Sequence, residues 1–201
     1  GCTSILISPN RDSTSTGTFY LWGAQLEQSS YATSYIKSEG AATTRLQDTC
    51  SKTGISDKIN SVEGVLYAEI NTNIADTYKF LSINDGTATG NQTRVAIGYF
   101  GTTLYANVRV ANVYQFNESI TISPQVNNKI ALKYKANDFA LWINGVEVLT
   151  DINGTTFSTG TLTKLAFDDG AGASPFYGNC QNLMVFPSAL SDTELATLTT
   201  L

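Results

Sequence analysis

Residues 129–149, KIALKYKANDFALWINGVEVL, constrain the fold more than any other stretch of the chain. Ile130, Leu132 and Tyr134 alternate with Ala131, Lys133 and Lys135, and Phe139, Leu141 and Ile143 alternate with Ala140, Trp142 and Asn144. A period of two on either side of a short polar break, Ala136-Asn137-Asp138, predicts a β-hairpin. Asn144-Gly145 then predicts a second tight turn before Val146-Glu147-Val148-Leu149. The result is three antiparallel strands with one apolar face, and such a face needs a partner sheet to cover it.

The rest of the composition agrees with an all-β chain. At 201 residues the chain is long enough for one sizeable domain plus an appendage. Gly, Ser, Thr and Asn are abundant while charged residues reach only 14%. The net charge is -5 without a basic cluster, which argues against a nucleic-acid partner. No apolar run approaches the roughly 20 residues of a membrane span, so no membrane insertion is expected. The chain opens on Gly1-Cys2 and its one methionine is Met184, so it reads as lacking its original start. No histidine and no C-x-x-C pair occur, so a zinc site is not expected.

Residues 1–43 differ in character from the remainder of the chain. Ile5-Leu6-Ile7 and Phe19-Tyr20-Leu21-Trp22 are short strand-like runs, and a polar, aromatic connector with Tyr31 and Tyr35 leads onward. Two short strands cannot bury a core alone, so this segment is expected to be an arm or the tail of an upstream domain. From residue 44 the main domain runs to residue 201. Strands are expected over 65–70, 80–83, 94–99, 104–110, 115–122, 161–167 and within 176–186, with turn signals every eight to twelve residues or so. Gly64 is expected outside the first of these. Ser191-Asp192-Thr193-Glu194 is a capping box, and Leu190, Leu195 and Leu198 give the helix after it an apolar stripe. The fold class is thus all-β: a two-sheet antiparallel β-sandwich of jelly-roll type with a short C-terminal helix and an N-terminal arm. First and last strands of a sandwich often lie side by side, which singles out Cys50 and Cys180 as a possible disulfide; three free thiols are the other reading.

Residues 45–201 resemble the laminin-G-like branch of the concanavalin A-like lectin/glucanase superfamily. The resemblance is carried by the hairpin over 129–144 with its Asn144-Gly145-Val146 turn, and by the closing NLMVFPSALSDTELATLTT over 182–200. RLQDTCSKTGI and SVEGVLYAEI look like the opening strands of a version common in phage structural proteins. FYLWGAQLEQSSYATSYI over 19–36 is similar to the exit strand of a carbohydrate-module-like domain that precedes the laminin-G-like one in such proteins. The resemblance implies a virion appendage, extracellular, with other virion proteins as partners and a homotrimer as its assembly.

The superfamily's glucanases carry E-x-D-x-x-E on one strand, which aligns carboxylates for acid/base and nucleophilic work. No such string occurs here; Glu63 and Glu69 lack the middle acid. A lyase without histidine would have to rest on Tyr105 and Arg109, with Arg94 across the hairpin, and an outward polar face on an antiparallel sheet is the favoured explanation of these residues. The chain is therefore not expected to be an enzyme. A sugar site needs an aromatic platform beside amides and charged groups. Trp142 should point away from the core beside Lys133. Alternation also turns Tyr67 and Tyr105 outward, and with Asn107, Arg109 and Glu69 they are expected to form a concave face. The other reading has Trp142 covered by a loop or a neighbouring subunit. Asp168-Asp169-Gly170 and Asn84-Asp85-Gly86 are the acidic turns a calcium ion would use, and equally ordinary turn chemistry. The leading expectation is a non-catalytic module that binds a host cell-surface glycan; the alternative is an oligomerisation module without a ligand.

Overall fold

The computed structural model describes residues 49–87 and 92–201, together with Thr18, Tyr20, 34–37, 39–41 and Thr43. The chain divides into two compact units, Gly1–Asp48 and Thr49–Leu201. The expected strand at Ile5-Leu6-Ile7, the expected strand over 19–22 apart from Tyr20, and the residues Cys2, Trp22 and Tyr31 lie outside the described residues.

In the second unit the strands are β1 (Ser51–Thr53), β2 (Glu63–Asn71), β3 (Lys79–Asn84), β4 (Arg94–Phe100), β5 (Thr103–Val110), β6 (Val113–Thr121), β7 (Asn128–Lys135), β8 (Phe139–Ile143), β9 (Val146–Asp151), β10 (Lys164–Ala166) and β11 (Asn179–Phe186), followed by helix α1 (Asp192–Thr199). They form a six-stranded sheet in the order β1-β10-β3-β4-β5-β6 and a five-stranded sheet in the order β11-β2-β7-β8-β9. Every ladder is antiparallel. This is the two-sheet sandwich that the alternating sequence demands. No helix among the described residues is long and apolar enough to cross a membrane.

The predicted meander forms as read. Asn144 and Gly145 adopt φ of 51° and 88°, the pair of left-handed residues that a two-residue hairpin turn requires. Asn137, at φ 58°, turns the other break, and the Asp138 N–H closes it on the Lys135 carbonyl at 3.0 Å. Ile130, Leu132, Tyr134, Phe139 and Leu141 are fully buried between the sheets, against Leu81, Ile97 and Leu104. One polar residue joins them: Asn128, also fully buried, donates to the Ser123 carbonyl (2.8 Å) and the Tyr99 hydroxyl (3.2 Å). A buried amide so satisfied fixes register without leaving a polar group unpaired.

Gly64 lies inside β2, contrary to the sequence expectation. The reason is steric. A Cβ there would meet the Phe186 carbonyl oxygen at 2.5 Å and the Tyr134 hydroxyl at 2.6 Å. Only a glycine leaves room for the Tyr134 ring, whose hydroxyl donates to the Asn60 carbonyl at 2.7 Å.

Helix α1 packs on the outer face of the five-stranded sheet. Glu194 reaches back to accept from the Ser191 N–H (2.8 Å) and hydroxyl (2.7 Å), as the capping-box pattern predicts. These bonds hold the Glu194 carboxyl below its ordinary range. Leu195 is fully buried against Val65, Tyr67, Ala131, Ala140 and Trp142, with Leu190 and Leu198 packed alongside. At the helix end Thr199 Oγ1 accepts from the Gly145 N–H at 3.1 Å, so α1 docks onto the Asn144-Gly145 turn.

Two outcomes test this packing. Leu195→Ala is expected to destabilise the protein by about 2–5 kcal/mol, read as a lowered denaturant midpoint. Burial, opposed by a hydrogen bond from Asn128, raises the Tyr99 hydroxyl to about 12. The folded state then holds a proton that the unfolded chain releases near its ordinary value of about 10. Stability contributed by Tyr99 is therefore complete below about pH 10 and is lost as pH rises toward about 12. Denaturant titrations across that window should show the fall, and Tyr99→Phe should make it shallower.

Candidate functional site

The sheets put the expected site residues on opposite sides of the sandwich. Trp142, Tyr67, Lys133 and Glu69 belong to the outer face of the five-stranded sheet, whereas Tyr105, Asn107 and Arg109 belong to the outer face of the six-stranded sheet. The single concave face expected from the sequence is thus corrected to two faces, and only one of them is open.

The first face is closed by α1. Trp142 does point away from the core, but it is 7% exposed and Tyr67 2% exposed, both beneath the helix. The cover is the chain's own helix, not a loop or a neighbouring subunit. Burial is also the larger cause of a raised Tyr67 hydroxyl pKa, with the Glu69 carboxylate second. Lys133 is buried too, its ammonium on Asp138 (2.6 Å) and on Asp192, the first residue of α1 (3.7 Å). Glu69 accepts from the Asn127 amide at 2.6 Å. Glu63, at the other end of β2, faces Lys135 at 3.7 Å. These side chains hold the helix and the strand ends, so the ligand roles expected for Trp142, Tyr67, Lys133 and Glu69 are withdrawn.

The second face is built by parity. Leu81, Ile83, Val95 and Ile97 point inward, so Phe80, Ser82, Asn84, Arg94, Ala96, Gly98 and Phe100 point outward. Register then lines them up in rows across the strands. Phe80, Gly98, Tyr105 and Ser119 form one; Ser82, Ala96, Asn107 and Asn117 the next; Asn84, Arg94, Arg109 and Tyr114 the third.

The first row carries an aromatic patch. Phe80 leans over Gly98, in the space where a Cβ would clash with its ring. Tyr78 stacks on Phe80 (5.8 Å between centroids), packs against Phe100 (4.7 Å) and meets Tyr105 edge-on (5.6 Å). Tyr78 is exposed, and Phe100 and Tyr105 are half-exposed. The Tyr105 hydroxyl is raised from its ordinary value by desolvation first and by Tyr78 second.

The third row carries the cations. Arg94 Nε–H donates to Asn107 Oδ1 at 3.0 Å, and Nη1–H to the Asp169 carbonyl at 2.5 Å, with the Asp169 carboxylate 3.8 Å away. Burial depresses the Arg94 pKa; Asp169 opposes that shift and Arg109 adds to it. Arg109 donates to Gln92 Oε1 at 2.7 Å and lies over the Tyr114 ring at 4.8 Å. Its Nε–H is buried with no acceptor. Arg94 is therefore a positioning residue, and Arg109 is the guanidinium of this row that keeps part of its surface exposed.

A loop over 168–178 crosses the same face. The Phe80 N–H donates to the Ser174 carbonyl at 2.9 Å, and Phe80 bridges to Pro175. The acidic turns bond their own loops. Asp168 accepts from the Gly170 N–H, Asp169 from the Ala171 and Ala173 N–H groups, and Asp85 from Thr87. Among the described residues no three acidic, cysteine or histidine side chains converge on a possible metal position. Cys50 and Cys180 are free thiols, Cys50 exposed and Cys180 half-buried.

Arg94, Tyr105, Asn107 and Arg109 are brought together as their parity implied. Sequence reasoning does not reach Tyr78, Phe80, Phe100 and Tyr114. Parity in β3 is the available signal for Phe80, because Leu81 and Ile83 point inward on either side of Ser82. Removing the Arg94 guanidinium leaves the Asn107 and Asp169 oxygens without their donor. Arg94→Met should cost about 3 kcal/mol in chemical unfolding, and Arg94→Lys should recover only part of it.

Comparison with protein-family models and with curated proteins returns no match. Solved structures do match. The CBM40 of the Ruminococcus gnavus IT-sialidase, bound to α2,3 sialyllactose, aligns with a TM-score of 0.57 at 19% identity, covering 76% of this chain and 97% of that one. The leech intramolecular trans-sialidase aligns with a TM-score of 0.56 at 20% identity, over 77% of this chain and 28% of that one. The NanB sialidase of Streptococcus pneumoniae gives 0.57 at 17% identity, over 75% and 26%. At these identities the likeness is one of fold: the second unit is a β-sandwich of the jelly-roll kind found in the CBM40 domain and in one part of each larger sialidase.

Proposed function

We propose that the chain is a non-catalytic carbohydrate-recognition module that binds glycans on the outer face of the six-stranded sheet. The observation that carries this reading is the pairing, on one open face, of the Tyr78–Phe100–Tyr105 patch with the half-exposed guanidinium of Arg109. Aromatic faces take the apolar side of a sugar ring, and a guanidinium takes its carboxylate. Tyr105 and Arg109 lie four residues apart on β5, about 13 Å at the rise of a strand, a span that suits an oligosaccharide better than one ring. A glycan with an acidic sugar fits best, and sialyllactose, which the Ruminococcus module binds, is the first probe. Calcium has no part in this reading.

The setting we propose is a phage virion appendage that meets the host cell surface. It rests on the resemblance of 45–201 to laminin-G-like domains and of 19–36 to the end of a carbohydrate module. An oligomerisation role is the second reading, and one observation favours it: an apolar groove lined by Phe186, Leu190 and Leu198 stays open beside α1. Sedimentation of the full chain separates the two, since a ligand-independent trimer supports assembly and a monomer removes it.

Titration of the full chain with acidic and neutral bacterial surface oligosaccharides and with sialyllactose tests the glycan reading. Binding is expected between micromolar and millimolar. Tyr105→Ala should weaken it about tenfold for all sugars, and Arg109→Gln should weaken the acidic ones selectively. Absence of binding to every sugar up to about 1 mM protein would sink the proposal.

A further inference from the structure

The two sheets leave one rim at which both edge strands carry a cysteine. β1 is an edge of the six-stranded sheet and β11 an edge of the five-stranded sheet. These edges lie on the same flank. β4 packs over β7, and Phe116 of β6 stacks on Phe139 of β8 at 6.1 Å, so the strand orders run the same way in both sheets.

Pairing fixes which way the two side chains look. Ser51 pairs with Ala166, which brings Cys50 opposite Phe167, and the Phe167 N–H donates to the Cys50 carbonyl at 2.9 Å. Residues directly opposite one another in an antiparallel ladder share a face. Phe167 packs against the core, so Cys50 also looks toward the other sheet. On that sheet Cys180 pairs with the fully buried Ile70 and packs against the same core. The Cys180 thiol is pushed up chiefly by burial, with Cys50 a lesser cause.

We propose that Cys50 and Cys180 are a cross-linking site: in an oxidising medium they form a disulfide that clasps the two sheets together at this rim. Exposed Cys50 meets the oxidant first. Its thiolate attacks a low-molecular-weight disulfide such as oxidised glutathione and releases one reduced thiol. Cys180 then gives its proton to water and attacks the Cys50 sulfur, expelling the second. Two protein thiols are oxidised and one external disulfide is reduced to two thiols. The bridge needs Cα atoms within about 7 Å. β1, three exposed residues at a sheet edge, is the less buried of the two strands the bridge would join.

The clasp also bears on the candidate site. Cys50 is bonded to Phe167, the residue before Asp168, and Cys180 follows the other foot of the same loop at Gly178. A Cβ on Gly178 would clash with the Asn71 carbonyl, so that foot is seated tightly on β2. Between the feet, Asp169 holds Arg94. Joining the two cysteines pins the loop at both ends.

The experiment is oxidation of the full chain with excess oxidised glutathione, followed by peptide mapping without reductant. The expected result is a mass loss of about 2 Da in an unchanged monomer and one linked peptide pair, Cys50 with Cys180. The thermal midpoint should rise by roughly 5–15 °C and return when reductant is added. Cys2→Ser should behave like the parent chain, and Cys180→Ser should show no rise. Cys50 and Cys180 that both remain open to alkylation, or that pair with Cys2 or between chains, would overturn the inference.

Discussion

The packing of α1 on the five-stranded sheet determines what the rest of this domain can do. β7 and β8 bury one face against the opposite sheet and the other against a helix. With both faces covered, these two central strands become structural. Leu195 fills the space over Trp142 and Tyr67, while Lys133 ties Asp192 at the start of the helix. The candidate groups that stay together on an open face are those of the six-stranded sheet. The Trp142 indole N–H has no acceptor beneath the helix, so the seal is made by apolar contact.

Much of this was legible in the sequence because its signals are local. Alternation placed Ile130, Leu132, Tyr134, Leu141 and Ile143 correctly in the core, and Asn144-Gly145 gave its turn. Ser191 and Glu194 announced the helix cap. Period two also sent Trp142 outward, correctly. What it does not encode is whether an outward residue stays wet, because that depends on where a helix some fifty residues later comes to rest. The leucines at 190, 195 and 198 showed that the helix has an apolar side, without saying which surface receives it.

The site was half legible for a similar reason. Parity within β5 groups Tyr105, Asn107 and Arg109, and that grouping holds. Joining them to Tyr67 and Glu69 required knowing which strands share a sheet, which is a question of register and not of period. The contribution of the loop over 168–178 lay still further from view. Asp168-Asp169-Gly170 reads as a turn or as a metal cradle from sequence; in the fold one oxygen of each carboxylate accepts from backbone N–H groups of the turn, and Arg94 stands beside Asp169.

The strand order has a consequence for time. β2 lies between β11 and β7, and β10 lies between β1 and β3. The first strands of the domain therefore complete their hydrogen bonding only with the last ones, across more than half of the chain. Such high contact order places folding in the millisecond-to-second range typical of sandwiches. During synthesis β2 and β3 must wait with one edge unpaired until the final strands arrive. Helix α1 comes later still, so the apolar surface around Trp142 is the last to be hidden. A chain interrupted before residue 192 would keep that surface open to its neighbours.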